Sequence, residues 1–332
     1  MATYYDIFGQ KVQYLSSDPS DVQIGQVWYN STSNTAKVQG ATTADAWSTG
    51  GNLPTGYQGG AGFGIQTAAV LAGGTPSPDY NLKTFEYNGS AWTAVNDMTR
   101  ASGPPFTSAY SSGSGIQTAG WAAGGGYPTP NALTENYDGT SWTASAAMPA
   151  NIRGGNSSGP QTAGLFFAGF DGSSVQSSTF LYDGEAWTGG PSLSTARTNA
   201  GGSGPTGSQT AALSFAGNTP GFTSATEEYD GISWTSGGNY PAGTSYVAYF
   251  GPSTNCYGCT GYAGGPVLTS TNFYNGTSWA VSPASMSTGR LNYHNNAGTD
   301  SSGLVFGGEG PLTQTEEFIA AGAPVTQTIT TT

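Results

Sequence analysis

Apolar and polar positions follow one order along the chain, and this order returns every 45 to 50 residues. Each period has an apolar strand that ends near Gly-Gly, a strand that ends at Tyr, and a strand that opens with Trp. Tyr137-Asp138-Gly139-Thr140-Ser141-Trp142 is one copy of the resulting frame, Tyr-x-Gly-x-x-Trp. Its Asn-Gly or Asp-Gly step supplies the positive-φ positions of a hairpin turn. Helical periodicity is absent, so the pattern predicts an all-β repeat protein.

The number of repeats predicts how the chain closes. The frame occurs five times, beginning at Tyr87, Tyr137, Tyr182, Tyr229 and Tyr274. Six Gly-Gly strands are present, but the last one leads to Phe318 with no Trp after it, and Trp47 precedes the first. A ring closes if the segment at Trp47 adds the outer strand beside Phe318, which would remove two open sheet edges. The sequence therefore predicts six four-stranded units.

The order of these elements resembles the kelch repeat, in which the Trp strand is followed by a Met-Pro-like step and an Arg. The arginines assigned to that position are Arg100, Arg153, Arg197 and Arg290, and the fifth unit has none. A Gln-Thr-Ala step, as at Gln117-Thr118-Ala119, departs from the family pattern. The resemblance covers about residues 38–320 and implies a six-bladed kelch-like β-propeller closed by an N-terminal strand.

The two ends of the chain do not follow the repeat. Residues 1–37 are interpreted as an N-terminal β appendage and residues 321–332 as a C-terminal tail that a neighbour is expected to order. Interface cores favour aromatic residues, which water would penalise if they were exposed. We therefore expect the appendage to dock on another subunit, and packing on its own propeller is the alternative. The expected docking residues are Tyr4, Tyr5, Phe8, Trp28 and Tyr29.

Composition narrows the classes of partner. Charged residues make up 8% of the chain, but aromatic residues reach 12%, which indicates a folded protein. The net charge is −12 with only seven basic residues, so nucleic acid is not an expected partner. No apolar run has the length of a membrane span, and the first residues lack a secretory signal. We therefore expect synthesis in a cytoplasm and no membrane insertion.

Residues that could carry catalysis are sparse. His294 is the one histidine of the sequence, and no serine lies in a Gly-x-Ser-x-Gly frame. Cys256 and Cys259 have redox or zinc spacing without a second pair, so a local disulfide or two plain thiols are expected. Adjacent carboxylates such as Glu227-Glu228 and Glu316-Glu317 point to opposite faces of a strand and are interpreted as solvated charge. A non-enzymatic protein without metal or cofactor is predicted.

Two families of propeller enzymes share parts of this sequence pattern. Sialidase Asp boxes also repeat once per blade, but here Asp and Gly are adjacent, and the first and last frames carry Asn. Galactose oxidase is a kelch-type enzyme whose copper site needs histidines that this sequence lacks. Neither resemblance supports a catalytic role.

The whole chain looks like virion structural proteins of tailed phages, particularly those of marine cyanobacterial hosts. The likeness rests on the opening Gly25-Gln26-Val27-Trp28-Tyr29-Asn30, followed by Gln-Thr-Ala and Tyr-Asp-Gly-Thr-Ser-Trp repeats. It implies a capsid decoration, neck, tail or fibre-associated protein that assembles in the host cytoplasm with other virion proteins and with copies of itself.

A carbohydrate-binding propeller that contacts the host surface is the alternative function. Aromatic residues in the loops between the Gly-Gly strand and the Tyr strand could form a stacking surface for sugars, although ordinary loop packing is the simpler explanation for them. These residues are Tyr80, Tyr127, Phe170 and Phe222. A glycan of the host surface would then be a further partner.

Overall fold

The computed structural model describes residues 12–75, 82–100 and 108–329, and all of its regular elements are β-strands, which confirms the all-β class. The described residues contain no helix able to cross a membrane. The strands form seven four-stranded sheets. The chain divides into two compact units, Met1–Ala46 with Ile319–Thr332, and Trp47–Phe318.

The smaller unit contains one sheet, called here the terminal sheet, in the order β1-β2-β3-β28. Its strands are β1 (Gln13–Leu15), β2 (Val27–Asn30), β3 (Thr35–Ala41) and β28 (Pro324–Ile329). β1 runs parallel to β2, and the other pairs are antiparallel. The tail that was expected to need a neighbour for its order is therefore paired with β3 of its own chain.

The larger unit contains six sheets, numbered here along the chain. Sheet 1 consists of β5 (Ala61–Ile65), β6 (Ala68–Ala72), β7 (Thr84–Tyr87) and β8 (Trp92–Val95). Sheet 2 consists of β9 (Ser112–Ile116), β10 (Ala119–Ala123), β11 (Thr134–Tyr137) and β12 (Trp142–Ser145). Sheet 3 consists of β13 (Asn156–Ser158), β14 (Gly164–Phe167), β15 (Thr179–Tyr182) and β16 (Trp187–Gly190).

Sheet 4 consists of β17 (Gly201–Gly202), β18 (Ala212–Phe215), β19 (Thr226–Tyr229) and β20 (Trp234–Ser236). Sheet 5 consists of β21 (Ala248–Phe250), β22 (Cys256–Cys259), β23 (Ser270–Tyr274) and β24 (Trp279–Ser285). Sheet 6 consists, in spatial order, of β25 (Asn296–Gly298), β26 (Ser302–Phe306), β27 (Thr315–Ile319) and β4 (Ala46–Thr49). Sheet 6 thus joins a strand from near the start of the chain to three strands from near its end.

Burial explains the composition of each strand position. The apolar second strands, such as β14, are buried along their length, whereas the fourth strands are mostly exposed. The first strands are rich in Gly and Ser because they contact one another in series, and β25 contacts β5. A Cβ added to Gly113 would lie 2.9 Å from the Cβ of Ala61, so a larger residue does not fit there.

Six tryptophans link each sheet to the one before it. The indole Nε1 of the Trp at or next to the start of a fourth strand donates to a threonine hydroxyl in the third strand of the preceding sheet, at 2.9 to 3.1 Å. The pairs are Trp92 and Thr315, Trp142 and Thr84, Trp187 and Thr134, Trp234 and Thr179, Trp279 and Thr226, and Trp47 and Thr271. Sheet 1 is bonded to sheet 6, so the series returns to its start.

The Gln-Thr-Ala step makes a second link of the same kind. The side-chain amide of Gln161 donates to the carbonyls of Gly120 and Tyr137, at 2.8 and 3.2 Å, in the second and third strands of sheet 2. Gln66, Gln117 and Gln209 make the equivalent pair of bonds. The step that departs from the kelch pattern therefore ties neighbouring sheets together.

Buried ion pairs hold three of the four arginines assigned to the end of the repeat. The pairs are Arg100 with Glu135 at 2.8 Å, Arg197 with Glu227 at 2.6 Å, and Arg290 with Glu316 at 2.6 Å. The interpretation of Glu227 and Glu316 as solvated charge is therefore wrong. Each carboxylate is buried because an arginine and backbone N–H groups satisfy its oxygens.

The neighbouring Glu228 and Glu317 lie on the other face of their strands. Each accepts a hydrogen bond from a tyrosine hydroxyl of the next sheet, Tyr274 for Glu228 and Tyr87 for Glu317. These carboxylates also join sheets, although their exposure is greater than that of the ion-paired ones.

Arg153 is not equivalent to the other three arginines, and its assignment to that position is wrong by one residue. Arg153 bridges Phe170 as Thr198, the residue after Arg197, bridges Asn218. Ile152 therefore takes the place of the buried arginine, and it packs in one cluster with Phe180, which replaces the glutamate. Because this apolar pair fills the interior position, Arg153 is half-buried and lies near the beginnings of the first strands.

We expect Trp47→Ala to separate β4 from sheet 6. The indole donates to Thr271 at 2.9 Å and lies 5.1 Å from the ring of Phe318, so its loss should lower the free energy of unfolding by about 3 kcal/mol. Hydrogen exchange of the β27 amides should also accelerate. Trp142→Ala is the matched control, because a short turn connects β12 to its partner β11 and should keep the β11 amides protected. Unchanged exchange in β27 would contradict the role of Trp47 in sheet 6.

Candidate functional site

A pocket of about 290 Å³ lies where the first strands of sheets 2 to 6 begin. This size is at the lower end of the range for small-molecule sites. The lining residues are Tyr110, Tyr127, Arg153, Gly154, Phe170, Thr198, Asn199, Tyr246 and Tyr293. Five of them are aromatic, so the pocket offers ring faces together with a cation and several polar groups.

Residues in the left-handed conformation form the base of this pocket. Tyr110, Gly154, Asn199 and Tyr246 have φ values of 59°, 60°, 51° and 59°. Each precedes the first strand of its sheet, and its N–H donates to the carbonyl of the equivalent residue in the preceding sheet, from Gly59 onward. These bonds form a continuous series from sheet to sheet, which holds the backbone at the pocket in place.

The two left-handed tyrosines are a costly choice at these positions. The conformation costs a side-chain-bearing residue about 1 to 2 kcal/mol, and sheets 1 and 3 carry glycine at the same place, Gly59 and Gly154. Strain of this kind clusters at functional sites, where the surrounding structure holds a side chain in a required direction. Tyr110 and Tyr246 are directed into the pocket.

The aromatic rings of the pocket form a continuous wall. Ring centroids are 5.9 Å apart for Tyr127 and Tyr110, 5.0 Å for Tyr110 and Tyr293, and 4.7 Å for Tyr293 and Tyr246. Burial raises the pKa of both Tyr246 and Tyr293, so their hydroxyls stay protonated at neutral pH. The wall therefore combines apolar ring faces with uncharged hydroxyl groups.

Arg153 places a positive charge at the edge of this wall. Its guanidinium lies 5.2 Å from the ring centroids of both Tyr127 and Phe170, and Nη1 donates to the carbonyl of Pro128 at 2.8 Å. Among the residues that the structure describes, no carboxylate forms an ion pair with it. The side chain is thus held in place at the pocket lining, with one of its N–H donors bonded to Pro128.

A wider depression of about 640 Å³ adjoins the pocket and shares Phe170, Thr198, Tyr246 and Tyr293 with it. Phe222 lines this depression and packs edge-on against Tyr262 at 5.5 Å. Glu309 also lines it and accepts a hydrogen bond from the Tyr293 hydroxyl at 3.3 Å. The two cavities together give an elongated surface with a cation in one part and a carboxylate in the other.

The first strands end on the opposite side, at a loop of sheet 4. Gly204 donates to the carbonyl of Gly251, and Thr206 donates through its hydroxyl to Gly298, at 2.7 and 2.9 Å. Pro205 accepts bonds from the amide of Gly115 and the hydroxyl of Ser114. This loop contacts sheets 2, 5 and 6, so the ends of the strands are bridged there while their beginnings border the pocket.

The structure brings together three of the four residues predicted to contact a glycan. Tyr127 and Phe170 line the pocket, and Phe222 lines the adjoining depression with Phe170. Tyr80 lies outside the described residues. The prediction missed Tyr110, Tyr246 and Tyr293. One signal for them was present in the sequence, since each is an aromatic residue just before a first strand.

The predicted docking residues lie in the smaller unit or outside the described part. Tyr4, Tyr5 and Phe8 belong to the residues that are not described. Trp28 is fully buried in the terminal sheet, and its indole donates to Asp18 at 2.9 Å. Tyr29 stacks on the exposed ring of Tyr14, with centroids 5.1 Å apart. Tyr29 and Tyr14 therefore present aromatic surface, whereas Trp28 does not.

The candidate chemical groups of the sequence are buried and do not line the pocket. His294 and Tyr249 lie 3.2 Å apart through Nδ1 and the hydroxyl, and burial lowers the pKa of His294 to about 4. Cys256 and Cys259 are free thiols on β22, and burial raises the pKa of both. Three residues apart on a strand, the thiols point to opposite faces, so they form no local disulfide.

No protein-family model matches this chain, and no curated protein is significantly similar to it. Within residues 12–75, 82–100 and 108–329, no group of three or more His, Cys, Asp or Glu side chains could hold a metal ion.

We expect the buried neutral His294 to make stability depend on pH. Its pKa of about 4 in the folded state is below the ordinary 6.5, so the unfolded chain binds the proton first as pH falls. Stability should be fully present above pH 6.5 and fall by roughly 3 kcal/mol between pH 6.5 and 4. Urea unfolding at several pH values would measure this loss.

The matched variant is His294→Asn, because asparagine tolerates the left-handed φ of 68° at this position. It should show a much smaller loss in the same window. The turn aspartates, such as Asp138, have lowered pKa values, so their contribution is lost at lower pH. Equal slopes in the two proteins would show that His294 is not the group responsible.

Proposed function

We propose that residues 47–318 form a closed, six-bladed kelch-like β-propeller. Six four-stranded sheets, the returning series of Trp–Thr bonds and the contacts among the first strands support this architecture. In this arrangement the pocket lies at one mouth of the central axis, which is a common place for ligands in folds built from repeated units.

The proposed function is that of a non-enzymatic virion protein of a tailed phage whose propeller binds carbohydrate on the host surface. The aromatic wall with its hydroxyl, amide and guanidinium groups is the observation that carries this proposal, since sugars present apolar ring faces and polar edges to a protein. The burial of His294 and both thiols supports a binding role over a catalytic one. The virion setting rests on the resemblance in sequence.

The strained tyrosines provide a test of carbohydrate binding. Tyr110→Gly introduces the residue that sheets 1 and 3 have at the same place. Relief of the left-handed strain should offset the lost ring contacts, so the free energy of unfolding should stay within about 1 kcal/mol of that of the unsubstituted protein. Binding of host-surface polysaccharide should weaken about 10-fold or more, because a central ring is removed. A glycan array followed by calorimetry would measure it, with Tyr14→Ala as the control. Unchanged binding by Tyr110→Gly would argue against the pocket.

We further propose that the terminal sheet docks this protein on another virion subunit or on copies of itself. The stacked pair of Tyr14 and Tyr29 supports this role, because Tyr14 is 75% exposed and aromatic surface of this kind is typical of interfaces.

Replacing Tyr14 and Tyr29 together by Ala should leave the propeller folded and sugar binding intact, while incorporation into particles falls severalfold. Quantitative mass spectrometry of purified particles would measure incorporation. Tyr110→Gly is the reciprocal control, because it should incorporate normally. Normal incorporation of the double variant would contradict docking through these rings.

A further inference from the structure

Arg153 is the residue of the pocket that the repeat itself does not explain. The three other arginines form buried ion pairs, each with a glutamate in the third strand of the sheet that follows it. In sheet 3 the pair is replaced by Ile152 and Phe180, and the arginine lies one residue later. Its charge is thus not needed to satisfy a structural carboxylate in the described part of the chain.

The surroundings of Arg153 hold its guanidinium in a fixed position. The rings of Tyr127 and Phe170 each lie 5.2 Å from its central carbon, and one N–H is used by the carbonyl of Pro128. A guanidinium has five N–H donors in a planar fork that matches carboxylate and sulfate oxygens. The remaining donors therefore form a ready site for an oxyanion beside the aromatic wall.

A second polar group lies across the pocket floor from this cation. The side chain of Asn199 makes no hydrogen bond within the described residues, and its Oδ1 would lie 2.9 Å from a Cβ added to Gly154. Glycine at position 154 therefore keeps the space beside the Asn199 amide open. A ligand there meets a cation, an amide and ring faces together.

We infer that the pocket takes an acidic saccharide, with the carboxylate or sulfate group of one sugar unit bound by Arg153 and the ring stacked on the tyrosine wall. The inference rests on the proposed carbohydrate binding and adds the class of sugar. The aromatic wall favours a sugar over an acidic peptide, because peptide carboxylates carry no ring to stack on it.

The negative charge of the whole protein does not oppose this binding strongly. The net charge is −12, but charges farther away than about 8 Å are largely screened at physiological ionic strength. The contact with Arg153 is direct and sheltered by two rings. Affinity for the acidic sugar should therefore decrease with added salt but persist at physiological salt.

The test compares three saccharides on the full chain by calorimetry. The probes are a galacturonic acid trisaccharide, its neutral methyl ester, and a galactose disaccharide that carries a sulfate ester. The acidic probes should bind about 10- to 100-fold more tightly than the neutral one, the range expected for hydrogen bonds to a charged group. The probe preferred, uronate or sulfate, identifies the acid group.

Arg153→Gln should remove this preference while leaving binding of the methyl ester unchanged, and Arg153→Lys should restore only part of it, because lysine lacks the planar fork. Lys83→Gln makes the same change of charge outside the pocket and should keep the preference. Equal binding of acidic and neutral sugars, unaffected by Arg153→Gln, would overturn this inference and leave carbohydrate binding standing.

Failure of all three saccharides to bind would overturn both this inference and the proposed carbohydrate binding. A tetraglutamate peptide is included as a fourth probe. Binding of that peptide alone, lost in Arg153→Gln, would mean that the pocket recognises acidic protein segments, and it would likewise overturn both.

Discussion

The hydrogen bond from each Trp indole to a Thr hydroxyl of the preceding sheet is the interaction on which the rest of the larger unit depends. One such bond contributes only about 1 kcal/mol, but the bond recurs between every pair of neighbouring sheets, where the Gln side-chain amides add further links. Because the bonds return from sheet 6 to sheet 1, no sheet can shift without straining two neighbours. The Tyr-x-Gly-x-x-Trp frame recurs in the sequence because each Trp makes this bond.

The same constraint determines where the pocket forms. Sheets held at a fixed spacing bring the beginnings of their first strands together. In sheets 2 to 5 a left-handed residue turns the backbone into the first strand while its N–H bonds to the preceding sheet. Sheets 1, 3 and 4 carry glycine or asparagine at this left-handed position, as Gly59, Gly154 and Asn199. Tyrosine at two of these positions costs stability, and the links between sheets supply the rigidity that maintains it.

Much of the fold could be predicted from the sequence because the repeat restates it six times. The strand order within a unit, the turn chemistry and the strand at Trp47 all follow from local patterns. The pairing of β28 with β3 could not be predicted, because neither strand belongs to the repeat. The buried state of Glu227 was missed for another reason, since its partner Arg197 lies 30 residues earlier and only the packed sheets bring them together.

The candidate site could be predicted only in part. Tyr127, Phe170 and Phe222 lie in loops whose length varies, which is a visible signal in the sequence. Tyr110 and Tyr246 lie beside the first strands, where small residues in the sequence indicate close packing of strands. Nothing in that pattern predicts a pocket. Both tyrosine side chains point into the pocket because their backbone is left-handed. In a sequence, only glycine or asparagine indicates that conformation.

Arg153 shows how a repeat can gain a binding group without losing its fold. An ion pair in the interior costs desolvation of two charges, so an apolar pair of similar size can replace it with little loss of stability. Ile152 and Phe180 make that replacement in sheet 3. Once the interior no longer needs the arginine, moving it by one residue reverses the face of the chain on which it lies, because side chains alternate along an extended segment. One step in register therefore converts a residue that holds two strands together into one that faces a ligand.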